Sequence, residues 1–152
     1  MMISRVPNLL TMKIKPIGTW IVYCKTLVSL TTHSIAVTVV NHYLQVQGPS
    51  DQPQFIFGYD VTIENRSNET VRLVEREWII TNAFGEIKTV MGEGVIGVQP
   101  TLAPGETFSY SSYCPLSSPF GMMEGFYVFS NGGISFRVAI PRFFMQCFAN
   151  LN

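Results

Sequence analysis

Charge is the first thing this sequence lacks. Its 152 residues carry 10 Lys plus Arg and 10 Asp plus Glu, so charged residues are 13% of the chain and the net charge is zero. Folded domains average about 25%, and a protein that tracks a nucleic-acid backbone needs a basic excess; binding to polyanions is excluded. Histidine is confined to His33 and His42. Cysteine is limited to Cys24, Cys114 and Cys147, with no CxxC pair to chelate zinc or carry a redox dithiol, and a reduced, cytoplasmic setting is expected. Long apolar runs are missing as well: Lys25 interrupts the best stretch, Ile17 to Leu30, which excludes a spanning helix. No stretch of twelve residues keeps an i, i+3, i+4, i+7 stripe, and Pro100, Pro104, Pro115 and Pro119 break the segments long enough to try. Internal repeats and low-complexity tracts are absent, and the length suits one domain.

What is present favours strands. The chain has 15 Val, 13 Ile and 12 Thr beside 11 Phe, 6 Tyr and 2 Trp, residue types that fit a pleated surface. From Ser34 onward, short extended segments alternate with turn residues about every ten positions, the pattern of an all-β sandwich or barrel. Seven strands are predicted, over Ile35 to Val46, Phe55 to Ile63, Val71 to Thr81, Ile87 to Met91, Phe108 to Cys114, Gly125 to Ser130 and Ile134 to Ile140. Phe55, Phe57, Tyr59, Val61 and Ile63 share one face. Asn65-Arg-Ser-Asn68 reads as the turn of a hairpin joining that strand to the next. In the next strand Val71 and Leu73 have one parity and Val74, Trp78 and Ile80 the other, which predicts a β-bulge near Leu73 and Val74. Asn82-Ala-Phe-Gly85 is a turn, and Asn131-Gly-Gly133 closes a tight hairpin. The expected core is Phe55, Phe57, Tyr59, Val61, Ile63, Trp78, Ile80, Phe108, Tyr110, Phe136, Val138 and Ile140.

The beginning of the chain differs from the rest. Lys13 and Lys15 precede the run Ile17-Gly-Thr-Trp-Ile-Val-Tyr-Cys24, which faintly resembles a signal peptide. The bulky Trp20 and Tyr23 and the lack of an A-x-A cleavage site, with only Ser34-Ile-Ala36 following, favour an extension over residues 1–33 that is poorly ordered or adds an edge strand.

Gly92-Glu-Gly-Val-Ile-Gly97 matches G-x-G-x-x-G, but a dinucleotide site needs a helix after the glycines, and Pro100 and Pro104 exclude one. Two readings remain: a loop whose glycines take positive φ, or a nest of backbone N–H groups for a phosphate oxygen, with Arg76 or Lys88 as counter-charge. Neither histidine accompanies a G-x-S-x-G elbow, and Cys114, in Ser111-Ser-Tyr-Cys-Pro115, reads as a small buried side chain. His33 and His42 have no partner motif for a metal. Glu75 and Glu77 share a strand face, but two like charges there read as a solvated pair. Asn65-Arg-Ser67 and Asn68-Glu-Thr70 are N-x-[ST] sequons that the turn explains. Arg66, Arg72 and Arg76 are offset by Glu64, Glu69, Glu75 and Glu77.

Several motifs in fixed order go further. Trp78-Ile-Ile-Thr-Asn82, Gly92 to Pro100, Leu102-Ala-Pro-Gly-Glu106, Met123-Glu-Gly125 and Phe136-Arg-Val-Ala-Ile-Pro141 followed by Phe143 resemble the ApaG domain, over about Ser34 to Phe144. The longer beginning and Ser111-Ser-Tyr-Cys114, where Thr-Ser-Gly is commoner, depart from the family pattern. The resemblance implies an immunoglobulin-like or fibronectin type III-like, two-layer antiparallel β-sandwich, over 34–146, with 147–152 as a tail. It also implies a cytoplasmic, non-catalytic protein. Related domains stand alone in bacteria or are appended to eukaryotic F-box and polymerase-interacting proteins as interaction modules. The family takes its name from genetic neighbourhood with a diadenosine tetraphosphate hydrolase, and some members are linked to cobalt and magnesium tolerance. A pyrophosphate-binding suggestion for its glycine motif carries over to Gly92, Gly94 and Gly97 only.

The expected function is therefore a non-enzymatic module for a protein partner, reached through loops or an edge strand, with the aromatic-rich ending Phe143-Phe-Met-Gln-Cys-Phe148 beside it. The alternative is a phosphate, pyrophosphate or nucleotide sensor built on the Gly92–Gly97 loop. No cofactor, catalytic residue, metal ligand, nucleic acid or membrane is expected, and self-association is compatible with either reading.

Overall fold

β-branched and aromatic residues with frequent turn signals give strands throughout. The computed structural model describes residues 8–9 and 25–147, and its elements are β1 (Asn8–Leu9), β2 (Thr26–Thr32), β3 (Ile35–Gln47), β4 (Gln54–Asn65), β5 (Val71–Asn82), β6 (Ile87–Glu93), β7 (Thr101–Leu102), β8 (Thr107–Leu116), β9 (Phe120–Asn131) and β10 (Ile134–Gln146). The apolar run ending at Cys24, and Phe148, lie outside the described residues. One sheet has the order β1-β2-β3-β4-β8 and the other β10-β9-β5-β6, with β7 also paired to β5. Every pairing is antiparallel. The two sheets make a fibronectin-like β-sandwich.

Local signals act where the sequence places them. Phe57, Tyr59, Val61 and Ile63 are buried while Thr62 is exposed, so β4 turns one face to the core. The register of β5 against β9 shifts between Leu73 and Glu75, at the position where the apolar parity changes. Gly132 and Gly133, at φ 56° and 103°, form the two-residue loop between Asn131 and Ile134. Positive φ at both positions matches the twist of the strands they join.

The strand count and the path from β4 to β5 differ from expectation. The described residues form ten strands where seven are predicted: β1 and β2 lie inside the segment 1–33, for which an added edge strand is one of the two expectations, with β2 pairing along its length with β3, and β7 is a strand within the proline-bounded stretch after Val98. More important, β4 and β5 do not form a hairpin. β4 lies between β3 and β8 in one sheet, and β5 lies between β9 and β6 in the other. The turn residues work as a crossing between layers because Asn65 is fully buried and occupied. Its Nδ2 donates to the Glu69 and Leu102 carbonyls at 2.7 and 3.0 Å, and its Oδ1 accepts from the Ser67 N–H at 3.0 Å. The Asn65 N–H donates to Glu106 O at 2.9 Å, and its own carbonyl accepts from the Gly105 N–H at 2.7 Å. With its backbone groups spent on the 105–106 turn, the chain leaves β4 for the opposite layer.

Between the layers an aromatic cluster fills the core. The Tyr59 and Trp78 rings lie 5.4 Å apart edge to face, and Phe143 is 6.0 Å from both. Tyr127 and Phe129 complete it from β9. Such geometries add to the area term. Four expected core residues, Phe55, Ile80, Phe108 and Phe136, are partly buried at its margin. β10 packs across β2 and β3, which closes one long side of the sandwich. The opposite side lies between β8 and β6, each the last strand of its sheet.

Candidate functional site

The Gly92–Gly97 motif is a hairpin. Val95 and Val98 exchange both backbone hydrogen bonds, at 2.8 and 2.9 Å, around Ile96 and Gly97 at φ 43° and 80°. Gly94 sits at φ 57°, and a Cβ there would lie 2.0 Å from the Val98 carbonyl oxygen, so only glycine fits. Gly92 pairs with Arg76 across β5 and β6. A Cβ on Gly92 would stand 2.9 Å from the guanidinium, which uses the vacant space to donate from Nη1 to the Glu93 and Gly94 carbonyls at 3.1 and 2.8 Å. The motif spacing thus encodes a seat for Arg76, a tight step and a turn. Gln99 ties the far strand down by donating from Nε2 to Val74 O at 2.9 Å. Gly92, Gly94 and Gly97 are brought together in this one hairpin. The N–H groups of Gly94, Val95 and Val98 donate to Val74, Val98 and Val95 carbonyls, and carbonyls are what the loop presents to Arg76.

Beside the hairpin, the open side of the sandwich forms a groove of about 510 Å³, within the range of about 300–1,000 Å³ usual for ligand sites. Tyr59 and Tyr110 line it from one sheet, Arg76, Trp78 and Lys88 from the other, and Ile96 stands at its mouth. Arg76 reaches the groove because, beyond the bulge, it shares the inward parity of Trp78 and Ile80. Its charge is felt by the phenols: burial raises the pKa of Tyr59 and of Tyr110, and Arg76 pulls each back. Burial also raises Tyr127, whose hydroxyl is hydrogen-bonded to that of Tyr110. The Cys114 thiol is pushed up to about 11 by burial, with Lys88 opposing. A thiol held protonated near neutral pH is inert, in keeping with a small core side chain.

These shifts predict an alkaline limit. The unfolded thiol, near 9.0, releases its proton before the folded one does, so unfolding is favoured as pH rises. The stability that these neutral forms confer is fully present below pH 9.0 and falls between there and about 11, with the phenols extending the loss upward. Urea midpoints across that range should decline, and Cys114→Val should flatten the first part of the decline.

The remaining candidates are dispersed. His33 lies in the β2–β3 turn against Phe136, with ring centroids 5.4 Å apart, whereas His42 sits along β3 over Gly58, whose missing side chain makes room for the imidazole. Glu75 and Glu77 point away from the groove, with the parity opposite to Arg76. Among the described residues, no three His, Cys, Asp or Glu side chains converge as a metal site. Sequence reasoning assigns Tyr59, Trp78 and Tyr110 to the core without revealing that they also border a groove. The available signal was an arginine in phase with buried residues and facing a glycine on the next strand.

Comparison with known proteins places this geometry in context. The ApaG domain model matches residues 45–131. Protein ApaG of Brucella anthropi is 47% identical over 113 residues, covering 74% of this chain and 87% of the relative. An X-ray structure of a structural-genomics target superposes with a TM-score of 0.74 at 34% identity, over 78% of this chain and 90% of the other. The crystal structure titled putative ApaA protein, from Bordetella pertussis, gives 0.70 at 39% identity, over 77% and 96%.

Proposed function

The chain belongs to the ApaG domain family, and from that premise we propose that it is a non-enzymatic binding module that takes a protein partner along the open side of the sandwich, between β6 and β8. One observation carries this reading. Of the eleven large apolar side chains exposed in the described residues, six (Phe84, Ile87, Met91, Ile96, Val98 and Tyr113) belong to β6, the turns at its two ends, or β8, while the other five are divided among β3, β9 and β10. Apolar side chains concentrated on one side mark an interaction surface, and an unpaired strand edge offers N–H and C=O groups to an incoming strand. Three of the groove's titratable groups support the non-enzymatic reading. Burial holds Tyr59, Tyr110 and Cys114 in neutral forms, whereas acid–base chemistry works best with a pKa near the operating pH. A cytoplasmic setting goes with the free Cys114 and Cys147 thiols.

The test is affinity capture from the native cell with the wild type, an Ile87→Lys/Met91→Lys double variant, and Leu44→Lys as a control. Leu44 is exposed on β3, in the other sheet, so its variant should retain the polypeptide that the double variant loses. Because all three positions are exposed, melting temperatures should stay close to wild type. Equal capture by all three proteins would overturn the edge reading. A nucleotide recovered without a polypeptide would put the phosphate-loop alternative in its place.

A further inference from the structure

The groove holds an arrangement that a protein-docking edge does not require. Its charged lining consists of Arg76, Lys88 and Glu86, a net charge of one positive. Among the described residues the ion pairs are Arg66–Glu64 and Arg142–Glu124, and neither Arg76 nor Lys88 takes part in them. The two cations are also spaced. Arg76 faces Gly92 and Lys88 faces Ile80, four residues apart along the paired strands, which is about 13 Å at roughly 3.3 Å per residue. Glu86 shares the Lys88 end, where its carboxylate is bonded to the Asn82 amide. The lining's one carboxylate is thus near Lys88 in the chain, and the Arg76 end of the groove, lined also by Tyr59 and Tyr110, has no carboxylate in its lining, with Trp78 and Val90 between the ends.

We propose that the groove is a site for a small organic monocarboxylate, its carboxylate held by the Arg76 guanidinium and its apolar body lying along Trp78 and Val90 toward Lys88. The net charge decides the valence: one positive charge is matched by a monoanion, and a polyanion would leave excess negative charge in a partly enclosed site. Arg76 is positioned for the task by the glycine hairpin, since Nη1 is committed to the Glu93 and Gly94 carbonyls and the rest of the planar fork stays available to a carboxylate. The volume of about 510 Å³ accepts a ring and a short chain. The site goes beyond partner docking but adjoins the docking face, since Ile87, Ile96 and Tyr113 line the groove and are also exposed on the open side.

The ¹⁵N-labelled full chain titrated separately with 3-phenylpropanoate, 3-phenylpropanamide and 3-phenylpropylamine reads the charge preference without any substitution. The acid should shift the backbone amides of Arg76, Lys88, Ile96 and Ser112. The neutral amide should bind about tenfold or more weakly, as expected for loss of a charge-assisted hydrogen bond, and the amine should not bind. Arg76→Gln should bring the acid down to the amide's level, while Lys88→Gln, which leaves the hairpin clamp intact, should change it by less than about threefold. Equal binding of acid and amide, a preference for the amine, or an acid that leaves the groove amides unshifted would each overturn the proposal.

Discussion

Gly125→Ala should cost about 3 kcal/mol or more, the upper end of what overpacking does to a closely packed interior. At roughly 2–4 °C per kcal/mol for a domain of this size, the melting temperature should fall by about 6–12 °C. Gly125 faces Trp78 in the middle of the β5–β9 pairing. A Cβ there would lie 1.9 Å from the Glu77 carbonyl oxygen and 3.1 Å from the Trp78 Cα. Backbone on a central strand cannot swing aside as a flexible side chain can, so either β9 separates from β5 or the register slips. Gly85→Ala serves as the comparison: Gly85 has φ 82°, but a Cβ there would meet nothing within 4 Å, and the variant should lose only about 1 kcal/mol, the conformational part. Thermal melts of the two variants separate close approach from backbone strain.

Asn65→Ala should be nearly as damaging, at about 2–4 kcal/mol. The Asn65 side chain is fully buried, and its removal leaves the Leu102 carbonyl without its amide donor and the Ser67 N–H without its acceptor. Leucine would fill the space yet satisfy neither group, so Asn65→Leu should not rescue stability. Aspartate restores the acceptor but not the donor and should fall between. Urea denaturation of the three variants gives this ranking directly, and because Asn65 lies at the crossing between sheets, refolding should slow along with the loss of stability.

The same residue explains what could and could not be read from sequence. Alternation along Phe57 to Ile63, the parity change after Leu73 and the paired glycines at 132 and 133 are local signals, and each has its local consequence here. The choice of sheet for β5 is different. It depends on an amide reaching Leu102, 37 positions away, and on the 105–106 turn, so a short polar stretch between two amphipathic strands reads equally well as a hairpin or as a crossing. Core membership on β9 was hidden for another reason: Phe126, Tyr127, Val128 and Phe129 are apolar at every position, so period-two logic has nothing to select. Burial of Tyr127 and Phe129 follows only from the pairing with β5. On β10, the register shift between Ile140 and Phe143 accommodates Pro141, which cannot donate to a ladder, and it brings Phe143 inward.

The groove was legible in part. Its glycines announced a tight loop, and the prolines that follow excluded the helix of a dinucleotide site. Gly92, however, acquires its role only once Arg76 is known to be its cross-strand neighbour. The side chains that border the groove, Tyr59, Trp78 and Tyr110, have the spacing of ordinary core residues. What distinguishes them is that β6 and β8 both end their sheets on the same side, a property of the whole topology.

Hydrogen–deuterium exchange on the captured complex tests most directly whether this side is the working face. Amides over 87–98 and 107–116, which form β6, the hairpin and β8, should exchange more slowly with the partner bound, while those over 26–47, in β2 and β3, should be unchanged. Protection confined to 26–47, with 87–98 and 107–116 exchanging as in the free protein, would contradict it.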